Sequence, residues 1–135
     1  MGFTDGASKW YLNLASTAWV IYSPSHKLIH INGISVGTAT NNQVDYDGVN
    51  GLLDATLQLG IHHLDVFLDS HLIIFIRLND HYRVRDPCLF RKYLRTKHMV
   101  KTIESITFTH VPMNLNSVTN QMAKDILNWH IHNSI

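Results

Sequence analysis

The stretch Phe3-Thr4-Asp5-Gly6-Ala7-Ser8 guides the interpretation of the whole sequence, because it places an acidic residue inside a short β-forming segment. Two further aspartates follow patterned segments. Asp45 comes shortly after Ala39-Thr40-Asn41-Asn42, and Asp69 comes directly after the run Leu64-Asp65-Val66-Phe67-Leu68. Three carboxylates on separate elements can hold hard divalent cations, which prefer oxygen ligands. The sequence therefore predicts a metal-dependent site for phosphoryl transfer.

The composition is typical of a folded globular domain. Of the 135 residues, 45% are hydrophobic and 16% are charged, which suits one hydrophobic core, and we predict a single domain over residues 1–135. The single cysteine, Cys88, excludes an internal disulfide. The first residues lack the pattern of a secretory signal, and the longest apolar run, residues 72–76, is too short for a membrane span. We expect a soluble protein of the cytoplasm, with the nucleus as the alternative, and no membrane partner.

The charged residues are unevenly distributed, although the formal net charge is only +1. No Lys or Arg lies between Lys27 and Arg77, where five of the ten acidic residues fall. From Arg77 to Lys101 there are eight basic residues against two acidic ones, Asp80 and Asp86. The acidic part suits cations and the basic part suits a polyanion, and a nucleic acid whose scissile phosphate meets a metal satisfies both. For the basic run alone, a solvated helix face is the alternative.

Hydrophobic periodicity and turn signals predict the element order βββαβααβα, an α/β domain with a mixed sheet. Residues 2–9, 15–23 and 27–36 are β-rich and predict an antiparallel meander. A helix begins near Asn41 and Asn42 and ends near residue 59, with Gly60 as its stop. Its predicted buried face contains Val49, Leu52, Leu53, Thr56 and Leu59. The later elements are a strand at 63–69, a short helix at 70–78, a polar loop at 79–87, a basic helix at 89–103, a strand at 105–111 and a helix at 117–132.

These motifs, in this order, resemble the ribonuclease H family, and most nearly its plant retroelement-type (reverse-transcriptase-like) branch. The residues that carry the resemblance are Phe3-Thr4-Asp5-Gly6, then Thr40-Asn41-Asn42 followed by Asp45, then Asp69-Ser70, and finally His110-Val111-Pro112 followed by Asn116. The resemblance extends from about residue 3 to about residue 128. It implies the ribonuclease H-like fold, with a mixed five-stranded sheet whose first three strands are antiparallel and which is flanked by helices.

The resemblance also implies a catalytic site for two divalent cations, Mg²⁺ or Mn²⁺. Asp5 matches the family's first-strand Asp that bridges both metals, Asp45 matches a Glu of the first helix, in its first turn, and Asp69 matches the Asp that ends the fourth strand. Asn120 stands where the family has an Asp on the last helix. Asp45 is one methylene shorter than Glu, and Asn120 keeps an amide oxygen but loses the negative charge. Asp125 does not replace it, because five residues along a helix rotate a side chain by about 140°.

The implied substrate is an RNA-containing duplex. In such sites the 2′-hydroxyls of the minor groove distinguish RNA from DNA, and the candidates to contact them are Asn41, Asn42 and His71. The candidates to bind backbone phosphates are Arg83, Arg85, Arg91, Lys92 and Arg95, which would make binding salt-dependent.

We expect a metal-dependent endoribonuclease that cleaves the RNA strand of an RNA/DNA hybrid or double-stranded RNA, the latter as in defence against RNA parasites. The alternative is a catalytically impaired relative that acts as a nucleic-acid-binding or protein-interaction module, because the neutral Asn120 weakens the acidic set.

Overall fold

The computed structural model describes residues 1–9, 14–37, 41–68 and 87–110, together with Gln121, Lys124, Asp125 and Asn128. For a few of these residues, among them Asp5 and Asp45, it describes the backbone alone. The predicted short helix at 70–78 lies outside the described residues, and so does the polar loop apart from its last residue. In the predicted last helix, the four described residues from Gln121 to Asn128 are helical and exposed.

Five strands form one mixed sheet, which confirms the predicted architecture. They are β1 (Gly2–Lys9), β2 (Leu14–Tyr22), β3 (Leu28–Gly37), β4 (His63–Leu68) and β5 (Ser105–His110), in the spatial order β3-β2-β1-β4-β5. The first three strands pair antiparallel, whereas β4 pairs parallel with both β1 and β5. The observed strand ends differ from the predicted ones by at most one residue, and those of β1 coincide with the prediction. β1 is therefore the central strand, with an antiparallel neighbour on one side and a parallel neighbour on the other.

The first helix, α1 (Asn41–Gln58), ends in hydrogen bonds typical of a glycine stop. Gly60 has a left-handed φ of 69°, its amide donates to the Leu57 carbonyl at 3.2 Å, and the Ile61 amide donates to the Thr56 carbonyl at 3.1 Å. These two bonds satisfy carbonyls that the helix end would leave open. The predicted stop at Gly60 is confirmed. The expectation for Leu59 is wrong, because this residue lies in the turn after the helix and its side chain is 48% exposed.

The second helix, α2 (Pro87–Thr102), begins two residues earlier than predicted. The sequence assigned Pro87 to the polar loop, but a proline is well suited to the first turn of a helix, where its missing N–H is not needed. The helix buries Leu89, Tyr93, Thr96 and Met99 and exposes a basic face. Neither this helix nor α1, the two whose backbone is described from end to end, has the length and apolarity that a membrane crossing requires.

The main hydrophobic core lies between the sheet and the two helices. Val49, Leu52 and Leu53 of α1 are fully buried. They pack with side chains of β2, β4, the end of α2 and the residue that follows it, namely Trp19, Ile21, Leu64, Val66, Leu68, Met99 and Ile103. On the opposite face of the sheet the Phe3 ring stacks on Phe67 at 5.2 Å. Apolar side chains of the sheet thus lie on both of its faces, as expected for a sheet inside an α/β domain.

Candidate active site and nucleic-acid interface

Asp5 lies in the middle of the central strand, where its backbone pairs with Ala18 of β2. On the other side, β1 and β4 run parallel, with Phe3 opposite Phe67. Asp5 lies two residues after Phe3, and Asp69 lies two residues after Phe67 in the sequence. The carboxyl ends of parallel strands meet at the same edge of a sheet, which is where open α/β sheets hold their ligands. Asp69 itself lies outside the described residues.

Helix α1 brings the backbone of Asp45 over the same part of the sheet. The contact is made by Gly48, where a Cβ would overlap the hydroxyl oxygens of both Thr4 and Thr17. Asp45 lies one helical turn before Gly48, or about 4.5 Å along the helix axis, and Thr4 directly precedes Asp5. Asp45 is the fifth residue of α1, so it opens the second turn rather than the first, and the first turn contains no acidic residue.

The remaining predicted site residues divide into two groups. Asn41 and Asn42 are the first two residues of α1, and Arg91, Lys92 and Arg95 lie on α2. The others, which are Asp69, His71, Arg83, Arg85 and Asn120, lie outside the described residues. Among the side chains that the structure describes, no three His, Cys, Asp or Glu residues are grouped as metal ligands. The four-residue metal site therefore stays a prediction.

The outer face of α2 is basic. Arg91 and Arg95 are exposed and one helical turn apart, and within the described part of the chain neither guanidinium has a hydrogen-bond or ion-pair partner. The helix has no acidic residue along its sixteen positions, and Lys101 adds a charge in its last turn. Such a face attracts polyanions, and phosphate binding by the two arginines stays a prediction.

Lys92 has a partner that the sequence did not predict. Its ammonium nitrogen lies 2.8 Å from Oδ2 of Asp47 on α1, and only 25% and 20% of the two side chains are exposed. Partial burial strengthens the attraction of such a pair relative to one in open water. Lys92 therefore lies between the two helices, whereas Arg91 and Arg95 point outward.

Two further polar residues that the sequence interpretation missed, Asn50 and Thr96, join the same contact. Asn50 Nδ2 donates to the backbone carbonyl of Lys92 at 3.2 Å, and the Thr96 hydroxyl donates to Asn50 Oδ1 at 2.6 Å. Both side chains are buried. The signal was present in the sequence, because Asn50 interrupts the apolar face of α1 next to Val49, and a buried amide requires hydrogen-bond partners.

Comparison with known proteins identifies relatives along nearly the whole chain. The family model described as reverse transcriptase-like matches residues 3–126. Ribonuclease HI of Halobacterium salinarum is 30% identical over 125 residues, which are 93% of this chain and 62% of that protein. The chain thus spans less than two thirds of the length of this relative.

Solved structures show the same fold. The crystal structure of RNase H1 from Halobacterium salinarum has a TM-score of 0.83 at 29% identity, covering 94% of this chain and 96% of that one. LC11-RNase H1, isolated from compost by a metagenomic approach and solved in complex with an RNA/DNA hybrid, has a TM-score of 0.82 at 22% identity, covering 96% and 97%. At the latter identity the likeness shows the fold alone.

Proposed function

The chain belongs to the reverse transcriptase-like family of ribonuclease H domains, and from this membership we propose that it hydrolyses RNA within duplexes. The observation that carries the proposal is the placement of Asp5 in the central strand under the helix that carries Asp45. This is the backbone arrangement that a shared carboxylate site needs. The comparisons do not distinguish the plant retroelement branch from the rest of the family.

We further propose that Asp5, Asp45, Asp69 and Asn120 hold two divalent cations, either Mg²⁺ or Mn²⁺. The donor set fits such ions, because it consists of carboxylate and amide oxygens without sulfur or imidazole. When bound, a pair of cations can activate a water and stabilise the leaving oxygen of a phosphodiester. The task of the side chains is to present oxygens to the ions from separate, rigid elements, and three negative charges offset part of the charge of the ions.

The duplex is proposed to bind across α2 and the start of α1. Arg91 and Arg95 are exposed, have no partner within the described part of the chain, and would bind phosphates of one strand. Asn41 and Asn42, together with His71, would contact the minor groove, where the 2′-hydroxyls lie. The complex of LC11-RNase H1 with an RNA/DNA hybrid supports a hybrid as the first substrate to test. Double-stranded RNA is the second, because it shares the A-form geometry.

The departure at Asn120 supports a second candidate function, that of a catalytically impaired binding module. A neutral amide is a weaker ligand than a carboxylate for a hard cation. One assay distinguishes the two candidates. The purified protein is incubated with end-labelled RNA in three forms, single-stranded, in a hybrid and in an RNA duplex, each with Mg²⁺, Mn²⁺ or EDTA.

We expect internal cleavage of the duplexed RNA with either metal, and none in EDTA. Cleavage that persists in EDTA would contradict the metal-dependent proposal. Retarded migration of the duplex without any cleavage would favour the binding module.

A further inference from the structure

The two described helices are held together by a small polar network, which we call the α1–α2 clamp. It consists of Asp47 and Asn50 on α1 and of Lys92 and Thr96 on α2. An ion pair joins Lys92 to Asp47 at 2.8 Å, and Asn50 links Thr96 to the carbonyl of Lys92 through bonds of 2.6 and 3.2 Å. Asn50 and Thr96 are 5% and 1% exposed, so most of the clamp is hidden from solvent.

The clamp specifies how α2 lies on α1. The apolar contact between the helices, formed by Tyr46, Leu89 and Tyr93, favours burial but is not directional. Hydrogen bonds require fixed distances and angles, and a buried amide or hydroxyl left without its partner destabilises the structure. A shift of α2 by one residue, about 1.5 Å along its axis, breaks all of these bonds together. The polar contacts therefore select one axial position and one rotation of α2.

The clamp residues stand next to the proposed substrate-binding residues along both helices. On α2, Lys92 and Thr96 face inward, and each is directly preceded by an exposed arginine, Arg91 and Arg95. On α1, Asp47 follows Asp45 by two residues. A translation of α2 along α1 thus moves the backbone of Arg91 and Arg95 by the same distance relative to the backbone of Asp45. A misplacement of about 1 Å at a reacting group can cost about 100-fold in rate.

We propose that the α1–α2 clamp fixes the distance between the phosphates bound by α2 and the scissile phosphodiester. Lys92 is then a positioning residue, which acts through Asp47 and does not contact a phosphate. This inference rests on the proposed function, because it assumes that Arg91 and Arg95 bind the duplex and that Asp45 belongs to the catalytic site. It reassigns Lys92 from the phosphate-binding set to the interior of the helix pair.

The first test compares a charge-neutral double variant with a single one. The variant Asp47→Asn/Lys92→Met removes one charge of each sign and keeps the formal net charge of +1, whereas Arg91→Met removes a charge from the outer face. Binding to a hybrid is measured without divalent metal as a function of salt. The slope of log K against log[salt] is negative, and we expect Arg91→Met to reduce its magnitude by about 0.7–0.9. In the double variant the slope should remain at the wild-type value. A similar loss of slope in the double variant would show that Lys92 binds phosphate and would overturn the proposal.

The second test reads cleavage positions on a hybrid with one defined end. The double variant should keep a KM near that of the wild type and lose about tenfold or more in kcat. It should also cleave at several neighbouring phosphodiesters where the wild type cleaves at one, which we call spreading of the cuts. A merely structural role would lower the amount of folded protein without spreading the cuts, and a thermal melt of each variant measures that amount. A wild-type cleavage pattern and kcat in a folded double variant would overturn the proposal.

The last test is a rescue experiment, in which the side chains of Asp47 and Lys92 are exchanged. Lys92→Asp alone should spread the cuts, and Asp47→Lys/Lys92→Asp should restore the wild-type pattern because it re-forms the ion pair. Should the exchanged pair not fold, Thr96→Val and Thr96→Ser replace it. The valine removes the hydroxyl and should spread the cuts, whereas the serine keeps it and should not. Failure of wild-type cleavage in the same gel would contradict the proposed function, and identical patterns in all variants would contradict the clamp.

Discussion

Gly48 of α1 lies directly over Thr4 of β1, so close that a Cβ at position 48 would overlap the threonine hydroxyl oxygen. The helix can reach the central strand because this position has no side chain. Gly51, one turn further along, makes the same kind of approach, since a Cβ there would lie 2.6 Å from the Trp19 ring. In the sequence alone these glycines only weaken the helix, by about 1 kcal/mol each. In the fold they set the distance between the helix that carries Asp45 and the strand that carries Asp5.

We predict that Gly48→Ala destabilises the protein. Alanine has the better helix propensity by about 1 kcal/mol, but overpacking against Thr4 and Thr17 costs about 1–3 kcal/mol. Both threonines are buried, and their β-branched side chains have a restricted χ1. The cost of the overlap should therefore exceed the gain in helix propensity, so that the free energy of unfolding decreases. Urea denaturation followed by circular dichroism measures the free energy of unfolding, and a variant more stable than the wild type would show that α1 can move away from the sheet at no cost.

Asp5→Asn and Asp69→Asn should each abolish cleavage while the protein stays folded. Both changes keep the size of the side chain but remove a negative charge from the proposed cation site. The matched control is Asp54→Asn, which lies on α1 where its carboxylate accepts a bond from Gln58, and it should cleave as the wild type does. Full activity in either site variant would contradict the assignment of that residue.

Asn120→Asp should lower the metal concentration that half-maximal cleavage requires and should raise the rate. A carboxylate is a better ligand than an amide for a hard cation, and the wild type should gain more from Mn²⁺ than from Mg²⁺, because Mn²⁺ binds oxygen and nitrogen sites more tightly in general. Titrations of both metals against the rate measure the effect. If the wild type and Asn120→Asp are both inactive across these titrations, the binding-module function becomes the better explanation.

Replacing both Arg91 and Arg95 by Gln should weaken hybrid binding and reduce its salt dependence. Two lost phosphate contacts lower the slope of log K against log[salt] by about 1–2. The control removes two charges elsewhere, with Lys27→Gln and Lys124→Gln, both at exposed positions. An equal loss of slope in the control would mean that only the overall charge matters, and no loss in either variant would leave the outer face of α2 as a solvated surface.

The order of the elements could be predicted from the sequence, because it depends on local patterns. The β-rich composition of residues 2–9 and 27–36, the helical spacing from residue 41 and the glycine at position 60 are each patterns within a few residues. The observed ends of these strands and helices differ from the predicted ones by no more than two residues. Leu59 shows where this approach fails, since the helical spacing continues in the sequence after Gln58, the last residue of α1.

The candidate acidic residues and the basic run could also be predicted from the sequence, because each is recognised from its residue types and their order along the chain. What only the tertiary structure decided is which charged residue meets which. Lys92 looks like one more member of the basic run, yet its partner is Asp47, forty-five residues away in the chain. The pairing follows from the packing of α2 on α1, and no local periodicity encodes it. The sequence therefore determined the elements and their chemistry, and the packing of those elements determined which side chains remain available to a substrate.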